Sequence, residues 1–551
     1  MGTFILFLFA LSTATATVTL NNVSYMKFAS CETGNSDMFS DSAFKASYDP
    51  LFSLLYVAGS KCVRIVSVET PASPTVVKTH SFTDGNDGNL VDIAVCGSTV
   101  AVLFESAFGL TEGHVYLCER YNSATDQFKC DGFERITVGE SPKSMTFTND
   151  CSKLLVANEG RAGLVNGVFT DPDGTVSVID MALVDTTTPC TTELSTHFFN
   201  DQYVNYLQKG VRWTYRGDHN NGIVTLFSQD LEPEQIAISD DGNWAYVTMP
   251  ENNAMGVINL VNVEWHDLIP FGTKDWQPHG IDTSDADTGA ILVTNYDVKG
   301  LYQPTAAIFV RTTSTTYVVT ANTGVPRTYT EKEQGVNFTD SVMALTALSG
   351  NQIDQAAISP DLAYNLATSN HLGRVQMSNS DGRSVISGLI SDVHLFGGRD
   401  IGFWDINDSS FRYTTGDDLE RHGRDSYMNV FNGDCSNASL SPSAEMDSRS
   451  TLMGPEPNVL ASGVYNSRTL VTAATRNGLV YVYAFNLNTP SFESVHRIGN
   501  TTATWGQAQT MSEAGDGLIS DMGFITRGSN SYLFVISKAT GSLSIKEFVD
   551  V

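Results

Sequence analysis

The chain has 551 residues, 41% apolar and 10% aromatic, enough to bury a large core, and carries 61 Asp and Glu against 32 Lys and Arg. A formal charge of −29 repels nucleic-acid backbones and anionic membrane surfaces, which excludes both as partners and favours cations or basic surfaces. Length alone allows several domains, but a repeat architecture overrides that count.

In chain order, the first residues run FILFLFAL into STATA, a short apolar segment followed by small residues, with Ala14 and Ala16 spaced for signal peptidase. A signal peptide over 1–16 predicts a secreted, extracellular protein with a mature chain of 17–551; a buried first strand is the alternative. No later stretch reaches the eighteen or so apolar residues of a membrane span. Eight cysteines, none in a C-x-x-C pair, fit an oxidising compartment and argue against a zinc ribbon. HVYLCERY and DQFKCDGF alternate like hairpin strands, so a disulfide between Cys118 and Cys130 is expected, while the other pairings are not legible. Sequons at Asn22, Asn337, Asn407, Asn437 and Asn500 are candidate glycosylation sites.

A phrase recurs along the chain: a polar turn, a Pro or acid, a short apolar strand, a turn, a second strand. It reads ESPKSMTFTNDCSKLLVANEG at Glu140 and LEPEQIAISDDGNWAYVTMPENNAMGVINL at Leu231. Weaker copies start at Gln277, Gln303, Gln352 and Gly454, with cruder ones at each end. Short strands with Asp-Gly, Asn-Gly or Ser-Asn turns indicate antiparallel meanders, and a spacing of about 45 residues is that of a four-stranded propeller blade. The expectation is an all-β fold, a single β-propeller of about seven four-stranded blades over 17–551. A helical insertion is expected at about 197–213, where Phe199, Tyr203 and Tyr206 have helical spacing and Gly210 ends the pattern. The Ser-, Asn-, Asp- and Gly-rich stretch at about 417–451 reads as a long irregular surface loop.

In a propeller the residues just before each innermost strand crowd around one channel opening. The phrase places Glu140, Glu232, Glu234, His279, Gln303, Asp354 and Glu456 there, with Glu159 and Arg161 of VANEG beside them. Carboxylates at compatible reach make a hard-cation site, and calcium is the usual extracellular choice. The same acids also cap blade turns through backbone amides, so both readings stay open. The Asp-rich turns IDTSDADTG and DPDGTV lack EF-hand spacing and read as β-turns.

The phrases VANEG, DPDGTVSVID, LEPEQIAIS, ENNAMGVINL, GIDTSDAD, FGGRDIGFWD and DSRSTLMGPEP, in this order, resemble the extracellular propeller family of mesenchyme-specific cell surface glycoproteins and bacterial choice-of-anchor I proteins. The resemblance runs from about Ala46 to the end and implies a glycoprotein of mineralised matrix or cell surface. Where relatives read TANEGDAR this chain reads TANTGVPR, so Thr323 and Val325 replace two acids; Thr451 and Leu452 replace acids of a second motif. Some bacterial relatives are labelled phosphatases. Against that, G-x-S-x-G, H-E-x-x-H and P-loop motifs are absent, and the ten histidines are scattered. The primary reading is a secreted binder of calcium and of extracellular matrix or cell-surface proteins, with no catalytic residue assigned. The alternative is a metal-dependent phosphoester hydrolase at the channel mouth.

Overall fold

The computed structural model describes residues 16–551 apart from 109, 131–134, 166, 185–189, 219–221, 288, 314, 331–335 and 407–409. Nearly all of the expected signal peptide and the Asn407 sequon therefore lie outside the described residues.

The strand LLVAN ending at Asn158 shows why the fold forms. Leu155 and Ala157 enter one apolar cluster with Ala245 and Val247, while Leu154 and Val156 enter another with Ala101 and Leu103. Alternate side chains thus face opposite neighbours, and a strand covered on both faces reads as a continuous apolar run. Repeated along the chain, this gives seven successive antiparallel sheets of four strands, the second with a short extra strand at Gln127–Lys129. Their first strands are Lys45–Asp49, Asp87–Cys96, Pro142–Phe147, Ile236–Ile238, Ala306–Arg311, Pro457–Tyr465 and Ile519–Arg527. Each packs against the first strand of the next sheet, and the seventh packs against the first, closing a ring. The expected seven-bladed propeller is what forms. Its last blade is completed by the N-terminal strand Val18–Lys27, which pairs with Ser542–Asp550 and sets Val18 opposite Asp550.

In such a blade the start of the first strand, the end of the second, the start of the third and the end of the fourth share one face. The long connections 159–174, 196–235, 271–305, 323–399, 415–456 and 497–518 all emerge there. The other face carries shorter turns such as 50–53, 239–243 and 466–467.

Two parts differ from the expectation. The Gln277 and Gln352 phrases are not blades: they lie between the strands of a five-stranded sheet made of Thr273–Asp275, Lys299–Leu301, Ser341–Met343, Gln376–Ser378 and His394–Phe396, in which Lys299–Leu301 runs parallel to His394–Phe396. Helices Ala344–Ser349 and Pro360–Ala367 pack on it around Trp276, Tyr296 and Leu395. A helix starts there because Ser359 caps the Leu362 N–H at 3.1 Å and Pro360 fits the first turn. The stretch 417–451 is not wholly irregular either. It opens with the helix Asp418–Tyr427, which has Asp418 and Glu420 in its first turn and Arg424 in its last. In the 196–235 connection a 3-10 turn, Thr196–Gln202, leads into the helix Tyr203–Lys209, and Gly210 stops it at φ 107°.

Candidate metal centre

Glu159 follows the second strand of the third blade. Its N–H donates to the Ser141 carbonyl at 3.0 Å, and the next residue, Gly160, donates to the Glu140 carbonyl at 3.1 Å. Gly160 has φ 65°, and a Cβ there would meet the Asp173 carbonyl at 2.8 Å, so the tight turn requires glycine. Glu234 stands two residues before the first strand of the fourth blade, its N–H on the Thr248 carbonyl at 2.9 Å, while its own carbonyl accepts Ser144 Oγ at 2.6 Å. Glu251 lies in the turn between the second and third strands of that blade, closed by Asn253 N–H on the Pro250 carbonyl at 2.9 Å. Buried Arg212 holds the Glu251 carbonyl.

These anchors bring one carboxylate oxygen each of Glu159, Glu234 and Glu251 within 4.8 Å of one another. Glu159 and Glu251 are 6% and 7% exposed, and Glu251 Oε2 has no hydrogen-bond partner among the described residues. Lys143 Nζ reaches Glu159 Oε2 at 2.9 Å. Burial first, then the neighbouring Glu251 charge, pushes the Glu234 carboxyl up to about 8. Burial raises Glu251 as well, opposed by Arg327 and reinforced by Glu159. Burial would lower the Lys143 ammonium, but Glu159, Glu234 and Glu251 together raise it. Three converging carboxylates, with Glu234 and Glu251 pushed up by burial, suit an oxygen-seeking divalent cation, which would neutralise them without protons.

The other predicted rim residues do not join this group. Glu232 is buried and paired with Arg327. Glu456 is paired with Arg449 and lies 3.6 Å from Arg476, so its charge is already met. Glu140 ends the fourth strand of the second blade, opposite Glu112, and burial followed by that like charge raises its carboxyl. His279 and Asp354 belong to the inserted sheet region; burial first and then Lys274 lower the His279 imidazole, and Asp354 accepts Ser387 Oγ at 3.1 Å. Gln303 donates from its backbone to Asn253 Oδ1 at 2.9 Å and serves as a turn residue. Thr323 stands after Asn322 as Glu159 stands after Asn158, but its hydroxyl bonds the Pro457 carbonyl.

Glu251 was missed because it does not precede an innermost strand. Its signal was the Asn-Glu of VANEG, another acid just past a second strand. The sequence also left unread a cluster that Arg399 ties together. Its Nη1 donates to the Asp282 carbonyl at 2.6 Å and Glu420 Oε1 at 2.7 Å, and Nη2 donates to the Ser450 and Leu452 carbonyls at 2.9 and 3.0 Å. Three family phrases, GIDTSDAD, FGGRDIGFWD and DSRSTLMGPEP, meet there. Burial, then Asp447 and Glu420, pushes the Asp282 carboxyl up to about 9.

Disulfides join Cys31 to Cys62, Cys96 to Cys151 and Cys118 to Cys130, and Cys190 and Cys435 are free. Among the sequons, Asn22, Asn337 and Asn437 are exposed, whereas Asn500 is half-buried with its amide on Glu513 Oε2 at 3.0 Å. No helix among the described residues is long and apolar enough to cross a membrane.

A mesenchyme-specific cell surface glycoprotein of Strongylocentrotus purpuratus is 23% identical, over 84% of this chain and 81% of its own. Among solved structures, Sqt1 of Saccharomyces cerevisiae has a TM-score of 0.42 at 9% identity, covering 97% of this chain and 100% of that one. The Cps50 (Swd1) β-propeller domain of Myceliophteria thermophila has a TM-score of 0.38 at 8% identity, covering 96% and 99%. The choice-of-anchor I domain model matches residues 44–488, from the first blade into the sixth, and the chain belongs to that family.

Proposed function

We propose that this protein is an extracellular propeller that binds calcium at Glu159, Glu234 and Glu251 and presents its insertion-bearing face to matrix or cell-surface partners. The observation that carries the cation reading is Glu251: a carboxylate this buried, with one oxygen unbonded and two other carboxylates beside it, lacks the partner that buried polar groups normally have. Hard oxygen donors select calcium or magnesium, and the chain's net charge of −29 concentrates cations around it. The extracellular reading draws on the three disulfides and on the cell-surface relative. Binding, without turnover, is the activity proposed.

Calorimetric titration of the full chain with calcium should give a dissociation constant of about 10⁻⁴ to 10⁻³ M, as extracellular modules do. Glu251→Gln should abolish this component while circular dichroism stays unchanged. A parent protein that takes up no calcium, or a variant that binds like the parent, removes the site. Calcium-dependent hydrolysis of a phosphomonoester, lost in the same variant, would put a hydrolase in its place.

A further inference from the structure

Calcium takes six to eight oxygens. With one oxygen from each, the three carboxylates supply three, so positions remain for other ligands. Glu159 also lines a cavity of about 640 Å³ between the second and third blades, with Lys61, Asp87, Glu105, Lys143 and Arg161 in its wall, Glu105 Oε1 accepting the Asn89 side-chain amide at 2.7 Å. Through Glu159, the one member of the cluster that lines it, the site borders a chamber large enough for a small molecule.

The bases around that chamber are not alike. Lys143 is committed to Glu159, and Lys61 Nζ donates to the Asp87 carbonyl at 2.8 Å. Arg161 is exposed, two residues after Glu159 and just past the glycine turn, and pairs with no acid among the described residues. In a chain with 61 acids and 32 bases, an unpaired arginine beside a carboxylate cluster is an unused donor fork. Guanidinium geometry matches the paired oxygens of carboxylate, sulfate and phosphate groups.

We infer that the cavity binds an anionic small molecule through one oxyanion group, which completes the coordination of the cation held by Glu159, Glu234 and Glu251 while Arg161 grips its remaining oxygens. The inference rests on the proposed cation site. Without a cation the same oxyanion meets three carboxylates and is repelled, so anion binding requires calcium. By linkage, the anion must then strengthen calcium binding by the same factor that calcium strengthens the anion's.

The test is calcium titration of the full chain in oxyanion-free buffer, repeated with acetate, sulfate or methylphosphonate; the probe that acts identifies the group. At least one should raise calcium affinity about fivefold or more, the lower range of such couplings. Arg161→Gln should lose that enhancement, read as the ratio of the variant's own calcium affinities with and without the oxyanion, whatever the loss of a nearby positive charge does to its affinity in oxyanion-free buffer. Calcium binding that no probe strengthens, or enhancement that survives Arg161→Gln, overturns the inference and leaves the cation site standing. A parent that binds no calcium under any condition overturns both.

Discussion

Asp521 Oδ2 accepts the backbone N–H of Ala46 at 2.8 Å, across the seam between the last blade and the first. Its other oxygen takes the Met522 N–H at 3.0 Å. Asp92 repeats the device between the second and third blades, with Met145 N–H at 2.8 Å and Ile93 N–H at 2.8 Å. A carboxylate on an innermost strand thus sets the height of the next blade. Asp521→Ala should leave the Ala46 N–H unpaired at the ring closure and cost about 1 to 3 kcal/mol. Urea unfolding of the variant, beside Asp126→Ala on an exposed turn, checks this; equal losses would show that the seam bond contributes nothing particular.

The same residue makes a pH prediction. Burial pushes the Asp521 carboxyl from 3.8 up to about 6, against the opposing pull of Lys45. Between those values the folded state holds more of this proton than the unfolded state, so the stability it contributes is full below about pH 4 and lost as pH rises through 6. Parent protein should therefore gain stability relative to Asp521→Asn as pH falls from 7 to 4. Denaturant midpoints of both proteins at the two values decide it, and a parent that loses ground on acidification contradicts the assigned direction.

Blade count was legible in the sequence because most blades are local meanders with their own apolar strands and turns, the fifth, split by 323–399, and the seventh, completed by Val18–Lys27, being the exceptions. Glu159 and Glu234 were legible because their positions repeat. Partner choice was not: Arg327, which takes Glu232, sits 95 residues away along the chain and shares no motif with it, and nothing in DSRSTLMGPEP marks Arg449 as the partner that takes Glu456. The inserted sheet was misread for a different reason. QIDQAAIS has the look of a blade strand, and the Ser359-Pro360 helix start directly after it was the stronger local signal.

The disulfides should differ in weight. Cys118 and Cys130 close a separation of 12 residues, whereas Cys96 and Cys151 close one of 55 and tie the second blade to the third on the face opposite the carboxylates. In the chain-entropy account the longer loop restrains the unfolded chain more, by about 1 kcal/mol. Replacing Cys96 and Cys151 by Ser should lower the melting temperature further than replacing Cys118 and Cys130, with calcium affinity unchanged in both. The reverse order would mean that local hairpin geometry outweighs loop length here.

Lys143 gives the most direct test of how the carboxylate cluster is balanced. Its ammonium, 2.9 Å from Glu159 Oε2, is the internal counter-ion that a divalent cation must work against, since both are drawn to the same oxygens. Removing a positive charge beside a cation site strengthens cation binding, whereas removing a ligand carboxylate weakens it. Lys143→Met keeps much of the side-chain length and deletes only the charge, so the variant should bind calcium more tightly than the parent. The Lys143 side chain is 39% exposed, and solvent screening trims the Coulomb effect to about tenfold, or ~1.4 kcal/mol. Without calcium the variant should be less stable, because three crowded carboxylates lose their neutralising partner; saturating calcium should close that gap. Calorimetry and thermal melts with and without calcium read both effects. If Lys143→Met binds calcium more weakly than the parent, the lysine supports the site instead of competing with the ion, and the three carboxylates are a salt-bridge network.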